Sequence, residues 1–262
     1  MTVWTAVPPA GPTTFSPLKG GGLPPSYAVF DLRLEARTVE PERALGGYFM
    51  PAASRQAWWA LLLIHHELAQ IPQRSADANL RLIRLGWWRE TLTEAAAGDP
   101  QAVQAHPAIQ ALAPALSQSL SSGSLSAWLS AWEASDDAQG GSDSASEAGL
   151  MRLGIEALGI TLAGLEPLAE QTGLAFALAR QALRVPSQGS VLTTLASEAA
   201  EQADRLCAEL PPVKRQALWP LFVPSRLATR VWLERLTLPE PVRRREQPGL
   251  IWRLCWQSLR RT

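Results

Sequence analysis

Paired carboxylates, the groups that hold Mg²⁺ and carry out much acid–base chemistry, are not evident in this 262-residue chain. Its seven aspartates stand at positions 31, 77, 99, 136, 137, 143 and 204. No two of them lie three or four residues apart on a long predicted helix, the spacing that puts two side chains on one helix face. We therefore expect no paired-carboxylate site.

The run His65-His66-Glu67 is the most conspicuous candidate for metal or proton-transfer chemistry. A zinc site of the HExxH type needs two histidines four residues apart, whereas adjacent helical residues point about 100° apart. We expect one histidine hydrogen-bonded to a carbonyl in the core and the other at the surface, and a proton-transfer role stays open. Serine-hydrolase elbows, P-loops and GxGxxG turns are absent from the sequence.

The apolar residues have helical spacing nearly everywhere from Tyr27 onward, and no segment alternates apolar and polar residues as a strand would. The pattern predicts an all-α, single-domain bundle over residues 27–262, preceded by a disordered Pro/Gly-rich tail over residues 1–26. Predicted helices cover 53–71, the stretch from Ser75 or Asp77 to Gly98, 107–120, 124–135, 145–159, 161–184, 191–210, a stretch from Pro212 to Leu236 broken at Pro220 and Pro224, and a last helix ending near Arg261.

Composition excludes several classes of protein. The chain has 24 basic and 24 acidic residues, which leaves no excess positive charge for binding nucleic acid. Two distant cysteines and no long apolar run indicate a cytoplasmic protein with at most peripheral contact with the inner membrane. The 11 tryptophans include adjacent pairs and pairs four residues apart, which favours core packing, with an apolar pocket or a partner surface as the alternative.

Three stretches resemble the squalene/phytoene synthase family: residues 46–55, residues 60–71 running on to 84–92, and residues 173–184. The resemblance implies an all-α fold of the isoprenoid (terpenoid) synthase type. It also implies an enzyme that condenses two isoprenoid diphosphates head to head, with magnesium and diphosphate held between two aspartate-rich helical motifs.

Both aspartate-rich motifs are degenerate in this chain. The metal-binding positions of the first motif are Ala69, Gln70 and Gln73, and those of the second are Val185 and Gly189. Because magnesium between diphosphates needs several carboxylate ligands, we expect the metal-dependent chemistry to be lost and no cofactor to be bound. Magnesium is expected only if the chain is an active prenyltransferase with atypical ligands, for which His66, Glu67 and Glu90 are the nearby candidates.

The run Arg84-Leu85-Gly86-Trp87-Trp88-Arg89 resembles a non-catalytic branch of the same family, the complex I assembly factors and their bacterial relatives. This resemblance implies an assembly or scaffolding factor whose partner is a respiratory-complex subunit or an isoprenoid or other lipid. A third hypothesis is an anion binder, because several arginines could face one cavity. The candidate pocket residues are Arg55, His65, His66, Glu67, Arg84, Trp87, Trp88, Arg89 and Arg184.

Overall fold

The computed structural model describes residues 31–134, 143–185 and 188–237, and the regular elements in these ranges are all helical. The all-α prediction is therefore confirmed for this part of the chain, in agreement with the isoprenoid synthase-type fold that the resemblance implies. The tail predicted over residues 1–26 and the helix predicted to end near Arg261 lie outside the described residues. Within these ranges, every helix is too short or too polar to cross a lipid bilayer.

Eleven α-helices and one 3₁₀ segment follow one another along the described chain. They are α1 (Leu32–Val39), α2 (Pro41–Ala44), the 3₁₀ segment (Leu45–Phe49), α3 (Ala52–Arg74), α4 (Ala78–Ala96), α5 (Pro100–Gln104), α6 (Pro107–Gln118), α7 (Ser122–Ala134), α8 (Ser144–Ala157), α9 (Glu166–Arg184), α10 (Gly189–Glu209) and α11 (Pro212–Thr237).

Four of the seven aspartates begin helices, which explains why they are scattered along the sequence. Asp77 precedes α4, and its carboxylate accepts a hydrogen bond from the backbone N–H of Asn79 at 2.8 Å. Asp31, Asp99 and Asp143 cap α1, α5 and α8 in the same way. An N-cap side chain satisfies one of the backbone N–H groups that a helix leaves without a partner. These carboxylates therefore serve local structure.

Prolines end fewer helices than the sequence predicts. The prediction that Pro72 ends its helix is wrong, because α3 continues to Arg74. The predicted break at Pro220 and Pro224 is also wrong, because α11 runs without interruption over 26 residues. Pro72 costs α3 one backbone hydrogen bond, and it lies in the last turn, so the helix continues only two residues beyond it. In α11, the buried side chains of Leu221 and Phe222 pack into the core and favour continuation of the helix.

Helix α3 forms the centre of the core. Its middle turns are buried on all sides, and it packs against α1, α6 and α8. The tryptophans at 58, 59, 88, 128 and 132 are buried, as core packing predicts. Helix α8 also packs against α9, and α9 in turn packs against α10. This arrangement brings α2, α3, α8 and α9 together around one part of the interior.

The contact between α8 and α9 depends on a close approach at Gly173. A Cβ atom at Gly173 would lie 2.4 Å from the backbone nitrogen of Ala148, so any side chain there would separate the two helices. Gly86, in the middle of α4, has no atom within 4 Å of the corresponding position.

The two glycines should therefore respond in opposite ways to replacement by alanine. We expect Gly173→Ala to lower the free energy of unfolding by about 1–3 kcal/mol, because the added methyl group overpacks the interface. Gly86→Ala should raise it by about 0.5–1 kcal/mol, because alanine is the better helix former. Urea denaturation followed by circular dichroism measures both values. Equal effects of the two substitutions would contradict the close approach of α8 and α9.

Candidate functional site

The five positions that the resemblance aligns with the aspartate-rich motifs lie at helix ends and carry no ionisable side chain. Ala69 is buried and Gln70 half-buried in the last turns of α3, where Gln73 is exposed. Val185 follows α9 and Gly189 begins α10, and both are half-buried. Among the described residues, no group of three or more His, Cys, Asp or Glu side chains could hold a metal ion. The residues present at these positions therefore do not fit magnesium.

The arginines predicted to share a cavity make separate contacts. Arg55 donates hydrogen bonds to the carbonyl oxygens of Gly47 at 2.9 Å and Met50 at 3.1 Å, which fixes the segment before α3. Arg89 pairs with Glu133 of α7, with 2.6 Å between Nε and Oε1. None of these contacts joins two of the predicted arginines.

The remaining predicted pocket residues are divided between the surface and the core. Arg84 and Arg184 are exposed. Trp88 is buried with its ring 5.1 Å from that of His106, whereas the neighbouring Trp87 is largely exposed. A groove of about 400 Å³ runs between α7, α8 and α9, but none of the predicted site residues lines it.

His65 is fully buried, as predicted for one of the two histidines, but its partner is not a carbonyl. Its Nε2 lies 3.2 Å from Oε1 of Glu147 on α8. The imidazole ring lies parallel to that of Trp128 at 6.0 Å and edge-on to that of Trp132 at 5.0 Å. Burial lowers the pKa of His65 and outweighs the opposing effect of Glu147. The ring is therefore neutral, and its Nε2–H donates to the carboxylate.

Glu147 is part of a group of four charged residues and one neutral histidine, which we call the interior charge cluster: Glu40, Arg43, His65, Glu147 and Arg180. Arg43 forms ion pairs with both Glu147 and Glu40, the latter at 2.8 Å. Arg180 lies 2.7 Å from Glu40 and 3.7 Å from Glu147. Two carboxylates and two guanidinium groups thus meet in one place, so the cluster as a whole is neutral.

The arginines keep both carboxylates ionised in spite of burial. Burial alone would raise the pKa of Glu40, but the charges of Arg43 and Arg180 lower it to about 2. The same balance, with Arg43 the strongest favourable partner, holds the pKa of Glu147 well below its ordinary value. Burial opposes the charge of Arg180, yet Glu40 and Glu147 raise its pKa. A buried charge is tolerated only when it is paired in this way.

An aromatic ring completes the surroundings of the two guanidinium groups. The Cζ atoms of Arg43 and Arg180 lie 4.1 and 4.8 Å from the centre of the Phe176 ring. Cation–π attraction adds to the ion pairs, because the face of the ring carries partial negative charge. Phe176 is four residues before Arg180 on α9, so both reach the cluster from one helix face.

The sequence prediction missed most of this cluster. It named His65, but not Glu40, Arg43 or Arg180 as site residues, because their partners are distant in the chain: Glu40 and Arg180 are 140 positions apart. One local signal was present, namely the spacing of Glu40 and Arg43 by three residues, which is typical of an acid–base pair at a helix end.

Removing one arginine of the cluster should be far more destabilising than removing an exposed arginine from the same fold. We expect Arg43→Met to lower the free energy of unfolding by about 3–5 kcal/mol, because two buried carboxylates lose their main partner. The control is Arg74→Met, which breaks an exposed pair with Glu67 and should cost less than about 1 kcal/mol. Equal losses in urea denaturation would show that the cluster does not hold the fold together.

Because the pKa values of His65 and Glu40 are lowered in the folded state, the free energy of unfolding should decrease as the pH is lowered. Above pH 6.5 both the folded and the unfolded states hold His65 neutral. Below that pH the unfolded state takes up a proton that buried His65 resists. Stability should then fall by up to about 1.4 kcal/mol per pH unit for that proton. Glu40 adds a second loss from pH 4.5 down to about 2.

Denaturation at a series of pH values tests this expectation. His65→Gln, which keeps an N–H donor but cannot titrate, should flatten the profile between pH 7 and 5. His66→Gln removes a half-buried histidine whose pKa burial also lowers, so as a comparison it should flatten the profile less than His65→Gln does. A His65→Gln profile as steep as that of the original chain would contradict the assignment of a neutral, buried His65.

Comparison with known proteins supports the family resemblance for one part of the chain. The model of the squalene/phytoene synthase family matches residues 36–136, which include Glu40, Arg43 and His65 of the interior charge cluster. Neither the curated proteins nor the solved structures gave a match. Residues 36–136, less than half of the chain, are thus similar to the squalene/phytoene synthase family, and the assembly-factor branch stays a prediction.

Proposed function

We propose that this chain is a non-catalytic helical scaffold built on a squalene/phytoene synthase-type domain, acting as an assembly factor of the complex I type. One observation carries the proposal. The two motifs offer no carboxylate to a metal ion, and the two carboxylates of the interior charge cluster are already neutralised by Arg43 and Arg180.

The loss of carboxylates bears directly on catalysis. Ionisation of an allylic diphosphate places negative charge on the leaving group, and a divalent cation provides the main electrostatic help. Glutamine offers only a neutral oxygen, and alanine, valine and glycine offer no side-chain ligand. A diphosphate at these helix ends would therefore lack the cation that stabilises it as a leaving group.

The alternative, an active prenyltransferase with substitute ligands, has weaker support. Glu67 is engaged by Arg74, with 2.5 Å between Nη1 and Oε2. Burial lowers the pKa of half-buried His66, which favours the neutral imidazole, but its ligand atom is a nitrogen and not the hard oxygen that magnesium prefers. Glu90 is exposed on α4. Magnesium favours several hard oxygen ligands, and this set supplies one engaged carboxylate and one on another helix.

The assembly role rests on the resemblance of residues 83–92 to the non-catalytic branch. In the structure this stretch forms the middle of α4, which joins the core through Trp88 and Leu92 and leaves neighbouring side chains exposed. A rigid helix with an exposed face suits a protein that holds a partner. The second non-catalytic role that we consider is the binding of an isoprenoid or another lipid.

A turnover assay distinguishes the scaffold from the enzyme. The purified chain is incubated with farnesyl or geranylgeranyl diphosphate and Mg²⁺ or Mn²⁺, and released diphosphate is measured. We expect release no faster than in the protein-free blank, while an active squalene synthase in the same buffer releases it readily. Sustained turnover by the chain would refute the non-catalytic proposal.

Affinity capture from the native host tests the assembly role separately. We expect respiratory-complex subunits to be recovered with the tagged chain and not with a tagged helical protein of similar size and charge. Failure to recover any such subunit would contradict the assembly role but would leave the outcome of the turnover assay unaffected.

A further inference from the structure

The first half of α4 carries a row of large apolar side chains that face solvent. Leu80, Ile83 and Trp87 are 48%, 66% and 43% exposed. Their spacing of three and four residues places them on one face of the helix. Trp88 and Leu92 point more than 90° around the helix from Trp87 and are buried in the core, so the helix cannot turn the row inward. We call Leu80, Ile83 and Trp87 the α4 stripe.

Basic residues border this stripe. Arg84 is four residues after Leu80 and three before Trp87, so it borders the stripe directly. Half-buried Arg81 lies one turn before Arg84, farther around the helix on the side of Trp88. Residues 78–89 contain three arginines and no acidic residue. Arg89 pairs with Glu133, whereas the guanidinium groups of Arg81 and Arg84 form no hydrogen bond or ion pair with any residue that the structure describes. Two free positive charges thus accompany the apolar row.

We propose that the α4 stripe, with Arg81 and Arg84, binds the surface of an anionic lipid membrane. Helix α4 would lie along the interface with the stripe among the upper acyl chains and the two guanidinium groups at the lipid phosphates. A helix face that combines apolar side chains, tryptophan and arginine is suited to this position. The proposal stands apart from the question of catalysis.

The positive charges of Arg81 and Arg84 favour an anionic lipid surface, and not an apolar protein groove, as the partner of the α4 stripe. An anionic bilayer supplies both apolar depth for three side chains and phosphates for two guanidinium groups, and arginine binds phosphate in a bidentate manner. The ring of Trp87 packs edge-on against that of Trp88 with centres 5.0 Å apart, which holds it in place at the surface. The stripe is therefore preformed.

Sedimentation of the full chain with vesicles tests this proposal. We expect it to bind vesicles of phosphatidylcholine mixed with phosphatidylglycerol and not those of phosphatidylcholine alone. Binding should weaken as salt is added, because salt screens the attraction between arginine and phosphate. Absence of binding to the anionic vesicles would overturn the proposal, even if the chain captured a protein partner through the same helix.

Matched variants locate the contact. Ile83→Asp should reduce the partition coefficient about tenfold or more, because it removes an inserted side chain and adds a repelled charge. Leu82→Asp is the control: Leu82 is 59% exposed on the same helix but lies off the stripe, so binding should remain close to that of the original chain. Arg84→Gln should weaken binding and reduce its dependence on salt.

These positions are exposed, so the variants should stay folded, which circular dichroism checks. Equal losses for Ile83→Asp and Leu82→Asp would show that the stripe is not the contact.

Discussion

Two carboxylates buried in a protein interior must be matched by positive charge, and the rest of this fold depends on how that demand is met. Glu40 and Glu147 are almost wholly buried, and the partners that neutralise them are the guanidinium groups of Arg43 and Arg180. Arg43 lies on α2, Glu147 on α8 and Arg180 on α9. Glu40 directly precedes α2, and the four charges meet beside His65 of α3. A helix that moved away would leave a buried charge unpaired, so the cluster fixes the relative positions of these helices.

The same arrangement bears on function. Residues 36–136 match the squalene/phytoene synthase family. The resemblance to this family implies carboxylates that hold a divalent cation and, through it, a diphosphate. Here the motif positions lack carboxylates, and the interior carboxylates are held by arginines that are part of the chain. An arginine cannot leave, cannot be exchanged and brings no open coordination position to a substrate. A fixed, neutral interior suits a structural role better than a catalytic one.

The helices could largely be predicted from sequence because their signals are local. The apolar spacing that defines α3 and the aspartate that begins α4 lie within the elements themselves. The path of α11 through Pro220 and Pro224 could not be predicted, since it depends on buried side chains packing into a core assembled from distant segments. The absence of carboxylates was visible at the five positions Ala69, Gln70, Gln73, Val185 and Gly189. The cluster that balances the interior charge was not, because Arg43 and Glu147 are 104 positions apart.

We infer that this interior, in which Arg43 and Arg180 balance Glu40 and Glu147, has no place for a divalent cation beside a diphosphate. The most direct measurement is calorimetric titration of Mn²⁺ into the chain in the presence of farnesyl thiolodiphosphate, an analogue that does not ionise readily. We expect no heat beyond that of Mn²⁺ binding to the free analogue. Saturable Mn²⁺ binding to the protein that requires the analogue would contradict it.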